Sequence, residues 1–132
     1  VRYEAGIVDA ALGHRGFVLT VVNCGDRPRR VAGYPDVHVL DGRNQVTDVR
    51  VENGTSYMGI DPGPKTFDLR PGRSLVAVVA SSATVTSGDL TTGSAISVAS
   101  APGETPRALP VETDLGTTGT ITVTAWDTEL AR

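Results

Sequence analysis

The chain has 132 residues, of which 39% are hydrophobic, and a net charge of -3. That length fits one domain with its own core, because a compact chain near this size removes roughly two-thirds of its unfolded surface from water. The hydrophobic fraction excludes a disordered chain, the mild acidity argues against a nucleic-acid partner, and no run approaches the roughly 20 apolar residues of a membrane-spanning helix.

Alternation with period two recurs along the chain and predicts strands. In the first of them Tyr3, Ala5 and Ile7 share a face. Residues 16–23 are apolar on both faces, with Phe17, Leu19 and Val21 opposite Val18 and Val22, which predicts a central, well-covered strand. A turn cluster, Cys24-Gly25-Asp26-Arg27-Pro28, follows, then strands at 29–32 and 36–40. Asp41-Gly42 and Arg43-Asn44 read as a hairpin-type turn into a strand at 46–52. Further strands are expected at 66–69, with Phe67 and Leu69 inward, at 74–80, which is apolar on both faces, and at 94–99, 107–111 and 118–126. Gly 15 and Pro 8 supply the turns, and Val and Thr suit a pleated surface better than a helix. Helix signals are weak, and no linker or internal repeat divides residues 1–132. The expected fold is one all-β domain, an antiparallel immunoglobulin-like β-sandwich with Greek-key connections and about nine short strands. A closed barrel is the competing architecture.

Two phrases stand out as turn followed by strand. One is Gly33-Tyr34-Pro35-Asp36-Val37-His38-Val39-Leu40-Asp41-Gly42, and the other is Leu69-Arg70-Pro71-Gly72-Arg73-Ser74-Leu75-Val76-Ala77-Val78. With the strand 19–23 that ends in Asn23, and Pro102-Gly103 before the strand near 107–111, they resemble the actinobacterial secreted and lipoprotein domain of unknown function numbered 4232. The resemblance covers roughly residues 16–124. It implies an immunoglobulin-like sandwich exported from the cell, and no known activity. It also implies a cysteine just before the Gly-Tyr-Pro phrase and another in the loop after the Pro-Gly-led strand. Residues 29–31 and 80–93 hold no cysteine, so the implied disulfide is absent here. The single Cys24 has no partner within the chain. Val1-Arg2-Tyr3-Glu4 already reads as strand, with no visible leader, which leaves room for a removed leader or a lipid anchor upstream of Val1.

Chemistry-bearing patterns are sparse. Gly54-Thr55-Ser56-Tyr57-Met58-Gly59 nearly spells a nucleophile elbow, but its second glycine falls one residue late and no helix follows. Cys24 with His14 or His38 would make a thiol dyad if they met. His14, His38, Met58 and Cys24 are single and widely spaced, without metal-ligand spacing. Asp36, Asp41, Asp48 and Glu52 lack the order of a calcium loop and read as solvated strand charges. Aromatic residues make up 5% of the chain and offer few platforms for a sugar. Asn53-Gly54-Thr55 matches a glycosylation sequon but reads more simply as a turn.

Three places carry competing readings. Tyr57, Met58 and Ile60 lie in the Gly- and Pro-rich loop 53–64; they either close the end of the core or form an exposed apolar contact surface. Strict alternation sends Ile121, Val123 and Ala125 inward and Trp126 outward as an interface aromatic, unless a bulge turns it in. Tyr34 and Pro35 read as a structural corner whose ring packs and whose hydroxyl bonds backbone. The functional expectation is a non-enzymatic, extracytoplasmic binding module that contacts a protein or cell-envelope partner through sandwich-end loops, with Tyr57, Met58, Ile60 and Trp126 as candidate surface. No catalytic residue, cofactor or metal is expected. A small-ligand or metal-binding carrier is the alternative, and a hydrolase with an unrecognised site the third reading.

Overall fold

The computed structural model describes residues 1–6, 9–11, 14–40, 45–46, 50–56, 59–82, 95–100, 104–110 and 120–129. The described residues contain no helix. They form eleven strands: β1 Arg2–Ala5, β2 Asp9–Ala11, β3 His14–Val22, β4 Arg29–Ala32, β5 Asp36–Leu40, β6 Arg50–Asn53, β7 Thr66–Leu69, β8 Ser74–Ser82, β9 Ala95–Ala99, β10 Arg107–Pro110 and β11 Thr120–Val123. Six of them build one sheet in the order β1-β3-β8-β11-β6, with β2 also on β3; β10-β9-β5 form a second sheet and β4-β7 a third.

β3 and β8 are the centre of the large sheet, paired over nine residues each from His14↔Ser82 to Val22↔Ser74. Their alternation explains this place. Phe17, Leu19 and Val21 of β3, with Leu75, Ala77 and Val79 of β8, join a single buried cluster. On the other face Val78 and Ala80 are buried as well, and Val18 and Val22 half-buried, as a strand covered on both sides requires. The cluster continues through Val37 and Val39 of β5, Ile96 and Val98 of β9, Val31 of β4 and Leu69 of β7. All three sheets therefore share one core, and the chain is an open β-sandwich. Removing each such side chain from water stabilises the fold by roughly 1.5–3 kcal/mol.

Other details go beyond the period-two reading. Along one edge of β3, Ala5 faces Leu19 and Asp9 faces Gly16, four steps along one chain against three along the other. The extra residue is a bulge, which breaks strict alternation. Of the strand expected at 46–52, β6 covers the end at Arg50–Asn53 and Val46 bridges to Leu40, while residues 47–49 lie outside the described ones. The sheets are antiparallel except for one pair, since β11 runs parallel to β6. Pro110 lies in β10, an edge strand, the place in a sheet that tolerates proline. Phe67 is half-buried, while Leu69 is buried as expected. The hairpin turn expected at 41–44 and Ile7 lie outside the described residues.

Candidate functional site

Gly33-Tyr34-Pro35 is the corner that carries the chain from β4 in one small sheet to β5 in another. Gly33 has φ 74°, a left-handed conformation that glycine adopts without steric cost. Its N–H donates to the Lys65 carbonyl at 3.0 Å, and its carbonyl accepts the Trp126 N–H at 3.0 Å. Pro35 is buried beside it. The Tyr34 hydroxyl does not reach backbone; it donates to Asp61 Oδ2 at 2.5 Å. Tyr34 and Pro35 thus hold a structural corner, with a carboxylate in the place expected for a carbonyl.

Asp61 is the hub that the sequence reading missed. Its Oδ1 accepts the Gly63 N–H at 3.0 Å, a local Asx turn, and the Ala125 N–H at 3.1 Å from the end of the chain. Its own N–H donates to Thr55 Oγ1 at 2.9 Å. Burial pushes the Asp61 carboxyl up, but the bonds from Tyr34, Ala125 and Gly63 together outweigh it and hold the group below its usual value of 3.8. The same bond, then burial, then the carboxylate charge push Tyr34 above 10.0. Each group is held more firmly in the charge state it already has at neutral pH. No local pattern marks an aspartate in a Gly- and Pro-rich loop for such a role; the partners come from three separate stretches of chain.

Trp126 corrects the exposed reading. Val123 faces Val79 and Asp127 faces Val76, so four steps along one chain pass three along the other. This one-residue bulge reverses the alternation after Val123 and turns the indole inward, where it is 0% exposed. Its Nε1–H donates to the Ser100 carbonyl at 3.1 Å. Trp126 is therefore a core residue and not part of a contact surface.

Ile60 lies differently. It is 52% exposed, and the backbone around it is held. The Gly54 N–H donates to the Val123 carbonyl and the Ser56 N–H to the Gly59 carbonyl, both at 3.0 Å. Thr55 and Asp61 close the base of the loop. Tyr57 and Met58 lie outside the described residues.

A second locking point explains the other phrase. Asn23 is 3% exposed, and its Nδ2 donates to the carbonyls of Arg27 and Leu69, each at 2.8 Å. Its Oδ1 accepts the Gly25 N–H at 2.9 Å. Its backbone pairs with Arg73 and Gly72, and Gly72 has φ 79°. One side chain thus fixes two turns, the one after β3 and the one before β8.

A cleft of about 600 Å³ opens where β1 and β10, both edge strands, come together. Val1, Tyr3, Arg29, Glu104, Thr105, Pro106 and Arg107 line it. Arg29 Nη2 pairs with Glu104 Oε2 at 2.6 Å, and the Ser100 hydroxyl donates to the same oxygen. Among the described residues the other sequence candidates do not converge. Cys24 is exposed and donates to the Val22 carbonyl, and His38 pairs with Asp36 at 3.2 Å on β5. Among the described residues no three His, Cys, Asp or Glu side chains gather for a metal ion. Asp41, Asp48 and the His14 side chain lie outside the described ones.

No curated protein and no solved structure matches the chain. The family described as a domain of unknown function, DUF4232, matches residues 1–127.

Proposed function

We propose, from the premise that the chain belongs to the DUF4232 family, that it is a non-enzymatic binding module working outside the cytoplasm, and that it contacts a protein or cell-envelope partner through the loop 53–64. The observation that carries this reading is Ile60, an isoleucine 52% exposed on a loop whose backbone is tied down on both sides. An apolar side chain left in water gains roughly 1.5–3 kcal/mol on full burial. A loop already ordered by its own bonds loses little further entropy when a partner covers it. Binding residues concentrate on such loops at the ends of rigid scaffolds. Tyr34 and Asp61 suit a structural role and not that of general acid or base, because such a group needs a pKa moved toward neutral and these two are moved away from it. The extracytoplasmic placement rests on the family resemblance of the phrases at 33–42 and 69–78.

The test is retention of cell-envelope extract, wall and membrane fractions separately, by the immobilised domain. Ile60→Asp should abolish retention and leave the melting temperature within about 2 °C, as surface substitutions do. Val46→Asp, at the other large apolar residue exposed among the described ones, 61% exposed, should retain the partner. Unchanged retention by Ile60→Asp would remove the loop as the contact surface.

A further inference from the structure

We infer that the cleft between β1 and β10 is a binding site for a small ligand bearing an oxyanion, a carboxylate or a phosphate. The inference stands independently of the loop reading, because it uses none of that loop's residues.

The first observation is charge. The chain carries -3 overall, yet the cleft gathers Arg29 and Arg107 against the single carboxylate of Glu104. That carboxylate is already engaged, since its Oε2 takes both the Arg29 guanidinium and the Ser100 hydroxyl. Arg107 is exposed and forms no ion pair among the described residues. Arg29 spends one nitrogen on Glu104; its remaining N–H groups meet no other acceptor among the described residues. Among the described residues, one whole guanidinium of the cleft and part of another therefore meet no anion.

The second observation is order. Glu104 holds the half-exposed Arg29 in place, so its fork does not lose its full rotamer freedom when a ligand arrives. Arg107 stands on a strand, in register with Val98 of β9. One guanidinium held by Glu104 and a second carried on a strand suit the planar, multiply accepting oxygens of carboxylate and phosphate, which take paired N–H bonds. An ammonium group would meet net positive charge and is disfavoured.

The third observation is size and wall. About 600 Å³ is ample for a small molecule and far too little for a folded partner. Val1, Tyr3 and Pro106 supply apolar wall beside the two cations, which fits a ligand with a hydrocarbon portion next to its charged end.

The experiment is a thermal-shift titration at pH 7 with sodium phosphate and with sodium succinate, each against sodium chloride at equal ionic strength. A site raises the melting temperature with the logarithm of ligand concentration once that exceeds the dissociation constant, because ligand binds the folded chain alone. Arg107→Gln should raise the dissociation constant about tenfold, read as a tenfold higher ligand concentration for the same shift, the factor that about 1.4 kcal/mol corresponds to. Arg30→Gln, an exposed arginine outside the cleft, should leave it unchanged. A response to succinate alone assigns an organic carboxylate, and a response to phosphate alone a phosphorylated ligand. A response to both assigns the oxyanion class. In wild type the backbone amides of Thr105 and Arg107 should shift in step with the titration by nuclear magnetic resonance, a readout that does not depend on any variant. Absence of any stabilisation beyond chloride would overturn the site. So would equal dissociation constants for wild type and Arg107→Gln, which mean an adventitious ion only.

Discussion

Removal of the Asp61 carboxylate is the sharpest test of how the corner is held. In Asp61→Ala the N–H groups of Ala125 and Gly63 and the Tyr34 hydroxyl all lose their acceptor. Ala125 is 1% exposed, so its orphaned N–H costs about 1–3 kcal/mol. Gly63 and Tyr34 are half-buried, reach water, and together add about 1 kcal/mol. The sum is about 3 kcal/mol. Unfolding entropy near 2.1 cal/mol/K per residue makes that a fall of about 10 °C for a chain of this size. Asp61→Asn keeps an oxygen for the two backbone donors and loses the charge-assisted bond to Tyr34, a fall of about 3–4 °C. The sign with pH follows from the shifts. The folded Asp61 value lies below 3.8, so the charge stabilises above that pH, and the contribution is lost as pH falls through the folded value. The folded Tyr34 value lies above 10.0, so the neutral hydroxyl stabilises below that pH, and its contribution is lost as pH rises through the folded value. The stability gap between wild type and Asp61→Asn should therefore be widest at neutral pH and narrow at both ends. Urea melts across the pH range measure it. A fall under about 3 °C for Asp61→Ala at pH 7, or a gap that widens in acid, would refute the account.

Two further substitutions test the other buried locks. Trp126 is the single tryptophan, so native fluorescence should be blue-shifted from the unfolded chain and several-fold protected from acrylamide; ready quenching would contradict its burial. Trp126→Phe should cost about 2 kcal/mol, from the lost Ser100 bond and the space left behind. Asn23→Ala should cost about 2–3 kcal/mol by urea denaturation, because it strips donors from the Arg27 and Leu69 carbonyls and the acceptor from Gly25 at once; a change within about 0.5 kcal/mol would show that water replaces it.

The all-β fold was legible because its main signal is local. Residues 16–22 and 74–80 announce β3 and β8 by being apolar on both faces, and the structure places them side by side at the centre of the large sheet. The short strands 29–32, 36–40 and 66–69 were bounded by Gly and Pro on each side, and β4, β5 and β7 keep those limits. The misses share one physical cause, since they depend on contacts between distant stretches. A bulge adds one residue to one strand only, and only the partner's register reveals it; this is why Trp126 alternates outward on paper and lies inward in the fold. The same holds for the parallel β6–β11 pair and for Arg29 and Glu104, which are 75 positions apart.

The two phrases that carry the family resemblance have opposite mechanical relations to the loop 53–64. The Leu69 to Ser74 phrase is closed on itself through Asn23, whose polar groups are spent on backbone. The Gly33-Tyr34 phrase reaches outward: Gly33 takes Trp126, Tyr34 takes Asp61, and Asp61 sits beside exposed Ile60. Loosening the corner therefore acts on the loop before it acts on the core. In Tyr34→Phe the ring stays, one charge-assisted bond goes, and stability falls by about 1–2 kcal/mol. The Asp61 side chain keeps Gly63 and Ala125 but loses its tie to the corner. If the loop works as a pre-ordered contact surface, this variant weakens partner retention through the entropy of re-ordering, while Ile60 itself is untouched.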